Sequence, residues 1–397
     1  MLVVNPKPLL VAVLAAAAVG SMGCAGLRLG TRDRTDLNQI ASPLRHSLAH
    51  FQWRAPLVAS TDLESHPRNR VTPVVDGERG LIYVGGLDHG IHALRVDDGL
   101  AIWRFQTLGA VEGSMVLDRG ELFVGCNDGA LYVLDALTGA LHWRFATNAE
   151  VVRAPIVTAD TVFLINADDT VFAVNRGTGE QRWRYHREAP GGITASGHAG
   201  LLSERGKLFC GFSDGTVVAI DPGDGTASWE RDTAADAEES DATEAHRVID
   251  VDTTPVLLDG SLFVASQSTG LYSLDPDGGG VRWRLDWMTA VSSLATDGRH
   301  LYATSSTLGL VKVDPADGSV LWARDYGAGA MQVMDAGNGL LMVPSASQAL
   351  WLVRARDGEV LEGVGRGGVT GMPVRVGSWF FFGTNLGALQ AYRLTTE

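Results

Sequence analysis

Histidine and cysteine side chains are the ones best suited to hold a metal or attack a substrate, and the sequence has ten of the first and three of the second. His89 and His92 form one close pair and His46 and His50 another, but neither has Cys, Asp or Glu at the spacing of a closed metal site. The sequence contains no nucleophile elbow, Walker loop or paired-carboxylate signature. We therefore expect no metal, no cofactor and no catalytic residue.

A glycine-rich segment from Gly363 to Gly368 matches the dinucleotide-binding pattern Gly-x-Gly-x-x-Gly. That fingerprint binds a pyrophosphate only where it joins a strand to a helix. Here it leads into Val369 and Pro373, a segment that we interpret as another strand. We therefore expect a loop between two structural repeats rather than a cofactor site.

Most of the chain consists of copies of one repeated motif. The repeats must therefore position any functional residue. A Gly-x-x-x-Trp motif, preceded by a strand and an Asp/Gly turn, occurs seven times, at residues 99–103, 139–143, 179–183, 225–229, 279–283, 318–322 and 358–362. The last copy is degenerate, with Glu362 at the Trp position. A period of about 40 to 45 residues with four short strands in each unit is typical of a β-propeller. We expect each Trp to pack against the neighbouring blade.

The two ends of the chain carry complementary parts of one further repeat. Trp53 lies in a Trp strand without preceding strands, whereas residues 379–383 and 388–392 are strands without a Trp strand after them. Pairing them completes an eighth unit and removes the sheet edges of an open ring. The sequence therefore predicts an all-β fold, an eight-bladed β-propeller closed by pairing the N-terminal strand with the C-terminal blade.

The positions of the cysteines and the net charge of the chain limit its possible functions further. Cys126 and Cys210 fall in non-adjacent repeats, too far apart for a disulfide, so we interpret both as buried strand residues. The net charge of −14 disfavours nucleic acid and anionic lipid surfaces as partners. An acidic insertion, residues 232–244, has six carboxylates and no basic residue. It is either a solvated loop or a partner contact.

The N-terminus has the pattern of a secretory signal, with Lys7 followed by an apolar run over residues 9–19. The segment ending at Cys24 resembles a bacterial lipoprotein signal, in which the cysteine is acylated, although Ser21 and Met22 depart from the usual residues. Ordinary cleavage is the alternative. No Asp follows the cysteine, which favours anchoring in the outer membrane. We assign residues 1–23 to the signal, 24–47 to a lipidated tether and 48–397 to the propeller.

The repeat as a whole, typified by residues 135–143, resembles the pyrroloquinoline-quinone-type propeller repeat. Quinoprotein dehydrogenases with this repeat hold their cofactor with an adjacent cysteine pair and a calcium site. This sequence has no adjacent cysteines, which argues against that enzyme. It more closely resembles the BamB family of outer-membrane assembly lipoproteins in its anchor, tether, eight repeats and lengthened middle loop.

The most specific piece of that resemblance is Asp-Val-Asp-Thr-Thr-Pro at residues 250–255. In the family, its two acidic residues help to hold the partner BamA through a periplasmic POTRA domain, and the resemblance implies the same role for Asp250 and Asp252. In a strand these residues would share one face. The alternative is that both bond backbone donors where the chain enters a blade.

The family's second contact element, Leu-x-Leu-Arg-Gly, corresponds to residues 193–197. Ile193 keeps the hydrophobic character, but Ala195 is smaller and Ser196 lacks the charge. Either the partner has changed together with this segment, or this protein docks differently.

The resemblance implies a non-enzymatic scaffold lipoprotein of the outer membrane that faces the periplasm. It would act as a monomer within a hetero-complex, bind BamA and support insertion of outer-membrane β-barrel clients. A scaffold with another partner and a quinone-dependent dehydrogenase are the alternatives.

Overall fold

In the computed structural model, the chain is described over residues 47–57, 71–188, 199–236, 249–326, 333–346, 350–365 and 367–395. These residues form eight four-stranded antiparallel sheets and a short 3₁₀ helix, Ala234–Asp236. The sheets are the blades of an eight-bladed β-propeller, as the repeat predicts. Within the described ranges, no helix is long and apolar enough to cross a membrane.

The chain enters the ring through β1 (Ala49–Pro56), which belongs to the last blade. Blade one is β2 (Val74–Asp76), β3 (Leu81–Gly85), β4 (Gly90–Arg95) and β5 (Ala101–Gln106). Blade two is β6 (Met115–Asp118), β7 (Glu121–Cys126), β8 (Ala130–Asp135) and β9 (Leu141–Ala146). Blade three is β10 (Ile156–Val157), β11 (Thr161–Ile165), β12 (Thr170–Asn175) and β13 (Gln181–His186). Blade four is β14 (Leu202–Glu204), β15 (Lys207–Gly211), β16 (Thr216–Ile220) and β17 (Ala227–Asp232).

The second half of the ring repeats this order. Blade five is β18 (Val256–Leu258), β19 (Ser261–Ser266), β20 (Gly270–Leu274) and β21 (Val281–Leu285). Blade six is β22 (Val291–Thr296), β23 (Leu301–Ser305), β24 (Gly309–Val313) and β25 (Val320–Arg324). Blade seven is β26 (Met334–Gly337), β27 (Leu340–Pro344), β28 (Leu350–Arg354) and β29 (Val360–Val364). Blade eight is β30 (Val374–Val376), β31 (Trp379–Thr384), β32 (Ala388–Leu394) and β1.

The position of a strand within its blade explains its composition. The two middle strands are nearly continuous apolar runs, because both faces of a blade pack against neighbouring blades. β3 and β11, for example, are buried at every residue. First strands of neighbouring blades contact each other, which places them innermost in the ring. The outer strands β9 and β13 alternate exposed and half-buried residues.

The chain ends close the ring as predicted. β1 runs antiparallel to β32, from Ala49 opposite Leu394 to Pro56 opposite Ala388. The C-terminus supplies three strands of this blade rather than the two expected, because β30 adds a short inner strand. The glycine-rich segment that begins at Gly363 leads from the end of β29 to β30, so it joins two strands and not a strand to a helix.

Each Trp of the repeat packs on the Gly of the next copy, not on the Gly of its own. In blade three, Trp183 Nε1 donates to the carbonyl oxygen of Pro222 at 3.0 Å. A Cβ added to Gly225 would lie 2.7 Å from the same ring, and Gly225 has a φ of +78° that favours glycine. The hydrogen bond recurs at seven junctions, with donors Trp53, Trp103, Trp143, Trp183, Trp229, Trp283 and Trp322.

The junction between blades seven and eight is built differently. Glu362 stands at the Trp position of one motif and Ala49 at the Gly position of the next. The Glu362 carboxylate accepts hydrogen bonds from the backbone N–H groups of Leu48 at 2.7 Å and Ala49 at 3.1 Å, and from the Ser47 hydroxyl. The degenerate copy therefore holds the start of β1, at the point where the ring closes.

Candidate functional site

Asp250 and Asp252 lie in the loop that enters blade five, directly before β18, and not in a strand. Between them, Val251 packs on Gly211 of blade four, where an added Cβ would lie 2.3 Å from the valine Cγ1. The Val251 N–H donates to the carbonyl oxygen of Phe212 at 3.1 Å. The valine therefore fixes the position of both aspartates against the preceding blade.

The same valine position recurs where the chain enters blades two and three. Val111 packs on Gly85 and Val151 on Gly125, and each donates its N–H to a carbonyl oxygen 3.1 Å away. The flanking residues differ, being Ala and Glu around the first valine and Glu and Val around the second. The valine is thus a structural repeat that our sequence analysis missed, although its spacing before each first strand could have revealed it. Two flanking aspartates distinguish the loop of blade five from these two loops.

Both aspartates are buried, Asp250 with 1% and Asp252 with 5% of its surface exposed. Gln267, in the turn between β19 and β20, holds the loop at two points. Its backbone N–H donates to the Asp250 carbonyl oxygen at 2.9 Å, and its side-chain Nε2 donates to Asp252 Oδ2 at 3.2 Å. The loop is therefore fastened to its own blade as well as to blade four.

A polar network extends from this loop to blades three and four. Arg153, in the loop that enters blade three, donates from Nη2 to the Asp252 carbonyl oxygen at 3.5 Å, across 99 residues of sequence. Asp169, in the turn between β11 and β12, accepts the backbone N–H of Ser213 of blade four at 3.1 Å. We name the loop at residues 249–255 together with Arg153, Asp169 and Gln267 the inner-loop cluster.

Burial in the inner-loop cluster shifts the pKa of one of its carboxyl groups. Burial is the largest cause that raises the pKa of Asp252 to about 7, and the nearby Asp250 carboxylate raises it further. The Gln267 hydrogen bond and the Arg153 guanidinium act in the opposite direction. Asp252 therefore changes its charge near neutral pH.

The second predicted contact, with Ile193, Ala195 and Ser196, lies outside the described residues, as do Cys24 and most of the acidic insertion. The chain is described again at residue 199, and Gly200 N–H donates to Thr254 Oγ1 at 3.1 Å. The residues that directly follow the second predicted contact are thus joined to the inner-loop cluster.

The described histidines and cysteines are held in structural settings. His89 is exposed at a turn with a φ of 60°, and His92 Nε2 lies 3.1 Å from Asp88 Oδ1. Cys126 and Cys210 are free thiols buried in β7 and β15, as predicted, and burial raises the pKa of Cys126 to about 11. Across the part of the chain that is described, no three His, Cys, Asp or Glu side chains are grouped to hold a metal.

The family model for the outer membrane protein assembly factor BamB matches residues 87–274 and 268–378. The chain belongs to the BamB family. A curated BamB from Kangiella koreensis is 29% identical over 118 residues, which cover 30% of this chain and 29% of that protein. The BamB of Vibrio cholerae is 28% identical over 110 residues, and the match covers 28% of each protein. Each aligned stretch thus spans less than a third of the relative's length.

Solved structures share the fold at lower identity. The crystal structure of BamB from Moraxella catarrhalis has a TM-score of 0.69 at 18% identity, covering 86% of this chain and 98% of that one. A quinohemoprotein alcohol dehydrogenase from Pseudomonas putida has a TM-score of 0.65 at 15% identity, covering 88% of this chain and 77% of that one. At such identities the likeness extends to the propeller alone, so the fold does not separate a BamB scaffold from a dehydrogenase.

Proposed function

We propose that this protein is a BamB-type scaffold of the outer membrane, which binds a BamA-like protein and supports insertion of outer-membrane β-barrel proteins. The match of the BamB family model over residues 87–378 carries the proposal. Cys24 is the proposed lipidation site, and the propeller faces the periplasm. The protein acts as a monomer within a hetero-complex and catalyses no reaction.

The inner-loop cluster is the proposed docking site. Its buried carboxylates form the floor, since Asp250 and Asp252 are almost inaccessible. Ile249 and Thr254 are only partly buried, and so is Arg153, so these residues form a rim that a partner can contact. Asp250 and Asp252 therefore support binding chiefly by fixing the shape of the rim. Ile193, Ala195 and Ser196 are the proposed second contact.

A quinone-dependent dehydrogenase is the alternative from another class, favoured by the structural likeness to the Pseudomonas putida enzyme. The donor set does not fit that cofactor, since the sequence lacks adjacent cysteines and the described residues lack a metal-ligand cluster. Adding pyrroloquinoline quinone and calcium should produce no alcohol-dependent dye reduction. Clear turnover would end the scaffold proposal.

Capture of purified BamA on the immobilised full-length protein tests the docking proposal. The wild type should retain BamA, and Asp250→Arg/Asp252→Arg should not, because two buried charge reversals disrupt the floor of the site. Glu78→Arg/Glu180→Arg is the matched control, since it reverses two exposed charges in turns of blades one and three. Failure of the wild type to capture BamA would refute the assignment and leave a scaffold with another partner.

Reversing two buried charges also threatens the fold, so a second variant that keeps the fold is required. Asp250→Asn/Asp252→Asn preserves the size of both side chains and should still weaken capture. Unchanged capture by this variant, with intact thermal unfolding, would show that the two carboxylates are not needed for docking.

The proposed anchor has its own test. Mass spectrometry of the mature N-terminus should find an acylated Cys24, and a Cys24→Ala variant should leave the membrane fraction. An unmodified N-terminal peptide that starts elsewhere would refute lipidation.

A further inference from the structure

A side-chain triad braces the outer part of blade two. Tyr132 on β8 donates its hydroxyl to Asp128 Oδ2 at 2.5 Å. Arg144, the cross-strand partner of Tyr132 on β9, donates from Nη2 to the same carboxylate oxygen at 3.2 Å. The Arg144 guanidinium also lies over the tyrosine ring, 5.3 Å from its centre. The Asp128 carboxylate, the Tyr132 hydroxyl and the Arg144 guanidinium thus serve as one another's hydrogen-bond partners.

Blade one has the same arrangement with a different ring. His92 is the cross-strand partner of Arg104, and its Nε2 lies 3.1 Å from Asp88 Oδ1. Arg104 Nη2 lies 2.9 Å from Asp88 Oδ2. Two successive blades therefore neutralise the arginine at this position with the carboxylate of the turn.

Blade three keeps the positions of the triad but not its contacts. Phe172 is the cross-strand partner of Arg184, and a phenylalanine ring has no hydrogen-bond donor. The turn carboxylate of Asp168 instead accepts the side-chain Nδ2 of Asn148 at 2.6 Å. Arg184 forms no side-chain hydrogen bond or ion pair with any residue that the structure describes. Among the described residues, the exposed Arg184 guanidinium therefore lacks the carboxylate partner that the equivalent arginines have in blades one and two.

Two other arginines near Arg184 do have carboxylate partners. Arg182, two residues earlier, pairs with Asp160 at 3.0 Å. Arg187, three residues later, pairs with Asp214 at 2.7 Å and with Glu230 at 2.9 Å. The arginines on either side of Arg184 thus bind carboxylates.

A cavity of about 600 Å³ opens where the triad is missing, between blades two and three. Its apolar side contains Phe145 and Phe172, which meet edge to face with ring centres 5.4 Å apart. Its polar side contains Arg184, His186 and the Asp168 carboxylate that Asn148 holds. The histidine Nδ1 lies 2.9 Å from Thr170 Oγ1. One side therefore suits an apolar group, and on the other the Arg184 guanidinium, unpaired among the described residues, suits a negative charge.

We propose that this cavity binds a small carboxylate that carries an adjacent apolar group. The Arg184 guanidinium has the planar donor geometry that matches a carboxylate with two parallel hydrogen bonds. The two phenylalanine rings provide the surface for the apolar group. The lining includes no residue of the inner-loop cluster, although Asp168 and Thr170 flank its Asp169, and binding here does not depend on BamA. The carboxylate is either that of a free organic acid or the C-terminus of a peptide.

Calorimetric titration of the full-length protein with N-acetylphenylalanine tests the proposal. Saturable binding is expected, and N-acetylphenylalaninamide, which lacks the carboxylate, should bind about tenfold more weakly or worse. Acetate and inorganic phosphate should also bind more weakly, because neither fills the apolar side. If a peptide with a C-terminal phenylalanine binds more tightly than N-acetylphenylalanine, the ligand is the end of a peptide. If the peptide binds equally or more weakly, the ligand is a free acid. Absence of saturable binding, or equal binding of phosphate, would overturn the proposal.

Variants locate the site. Arg184→Gln should weaken binding of N-acetylphenylalanine about tenfold or more, whereas Arg144→Gln, in the intact triad of blade two, should leave it unchanged. Phe172→Tyr/Asn148→Leu rebuilds the triad by restoring a ring donor and releasing Asp168 to pair with Arg184. It should abolish binding in a protein that remains folded, although it also removes the Asn148 Oδ1 acceptor of Asn166. Undiminished affinity in Arg184→Gln or in the rebuilt variant would contradict the proposal.

Discussion

The outer rim and the inner loops of this ring follow different rules. At the rim, seven junctions repeat one contact, in which a Trp donates to a backbone carbonyl and packs on the glycine of the next blade. In the inner loops that enter blades two, three and five, only the central valine is repeated, and its neighbours change from blade to blade. Residues that recur build the ring, whereas a residue that departs from the repeat needs another explanation.

Two departures illustrate the point. Glu362 interrupts the rim at the place where the ring closes, so its explanation is structural. The loop that carries the two aspartates is joined to blades three, four and five through hydrogen bonds of Asp252 and Val251, and closure does not require it. Substitutions in the two regions should therefore separate stability from partner binding.

The largest expected effect is at the rim. Trp183→Ala should lower the free energy of unfolding by about 3–5 kcal/mol, because it leaves a cavity under Gly225 and removes the hydrogen bond to Pro222. Trp183→Phe keeps most of the ring and should cost about half as much. Denaturant unfolding followed by tryptophan fluorescence measures both. Equal, small losses in the two variants would contradict a packing role for the indole.

The closure junction should be the next most sensitive. Glu362→Ala removes the acceptor of two backbone N–H groups at the start of β1 and should cost about 1–3 kcal/mol. Hydrogen exchange at Leu48 and Ala49 should increase before exchange elsewhere in the ring. Glu362→Gln keeps an acceptor and should retain most of the protection. Unchanged exchange in the alanine variant would show that closure depends on strand pairing alone.

The inner-loop cluster should instead show a pH effect. Because the pKa of Asp252 is raised to about 7, the folded protein retains a proton that the unfolded chain has lost above about pH 4. The free energy of unfolding should therefore fall as the pH rises from about 4 to 7, by at most about 1.4 kcal/mol per pH unit from this group. Asp252→Asn should remove this slope and be relatively more stable above pH 7. Parallel pH profiles for wild type and variant would contradict the assignment.

The sequence predicted the ring better than it predicted the contacts between repeats. The eight blades follow from the spacing of the motif and from the complementary ends around Trp53 and β32, because each is a local pattern. That Trp183 packs on Gly225 rather than on Gly179 is a property of the ring, since it joins two copies. For the same reason Glu362 was recognised only as a degenerate copy.

The candidate site was predicted in position but not in environment. Asp250 and Asp252 were singled out by resemblance, and their spacing allowed a shared strand face. The structure places them in a buried loop instead, held by Gln267 and by Arg153 from a loop 99 residues away. Such a long-range polar contact leaves no periodic signal in one sequence, so neither partner could be predicted.

The most direct test of a division between rim and inner loops compares one variant from each region while both are folded. BamA affinity should be measured for Asp250→Asn/Asp252→Asn and for a rim variant such as Trp183→Phe. The measurement is made without denaturant, at a temperature where both variants are fully folded. We predict that the inner-loop variant loses at least about tenfold in affinity, equivalent to about 1.4 kcal/mol, while the rim variant binds like the wild type. Equal affinities for both variants, or a loss confined to the rim variant, would contradict the location of function in the inner-loop cluster.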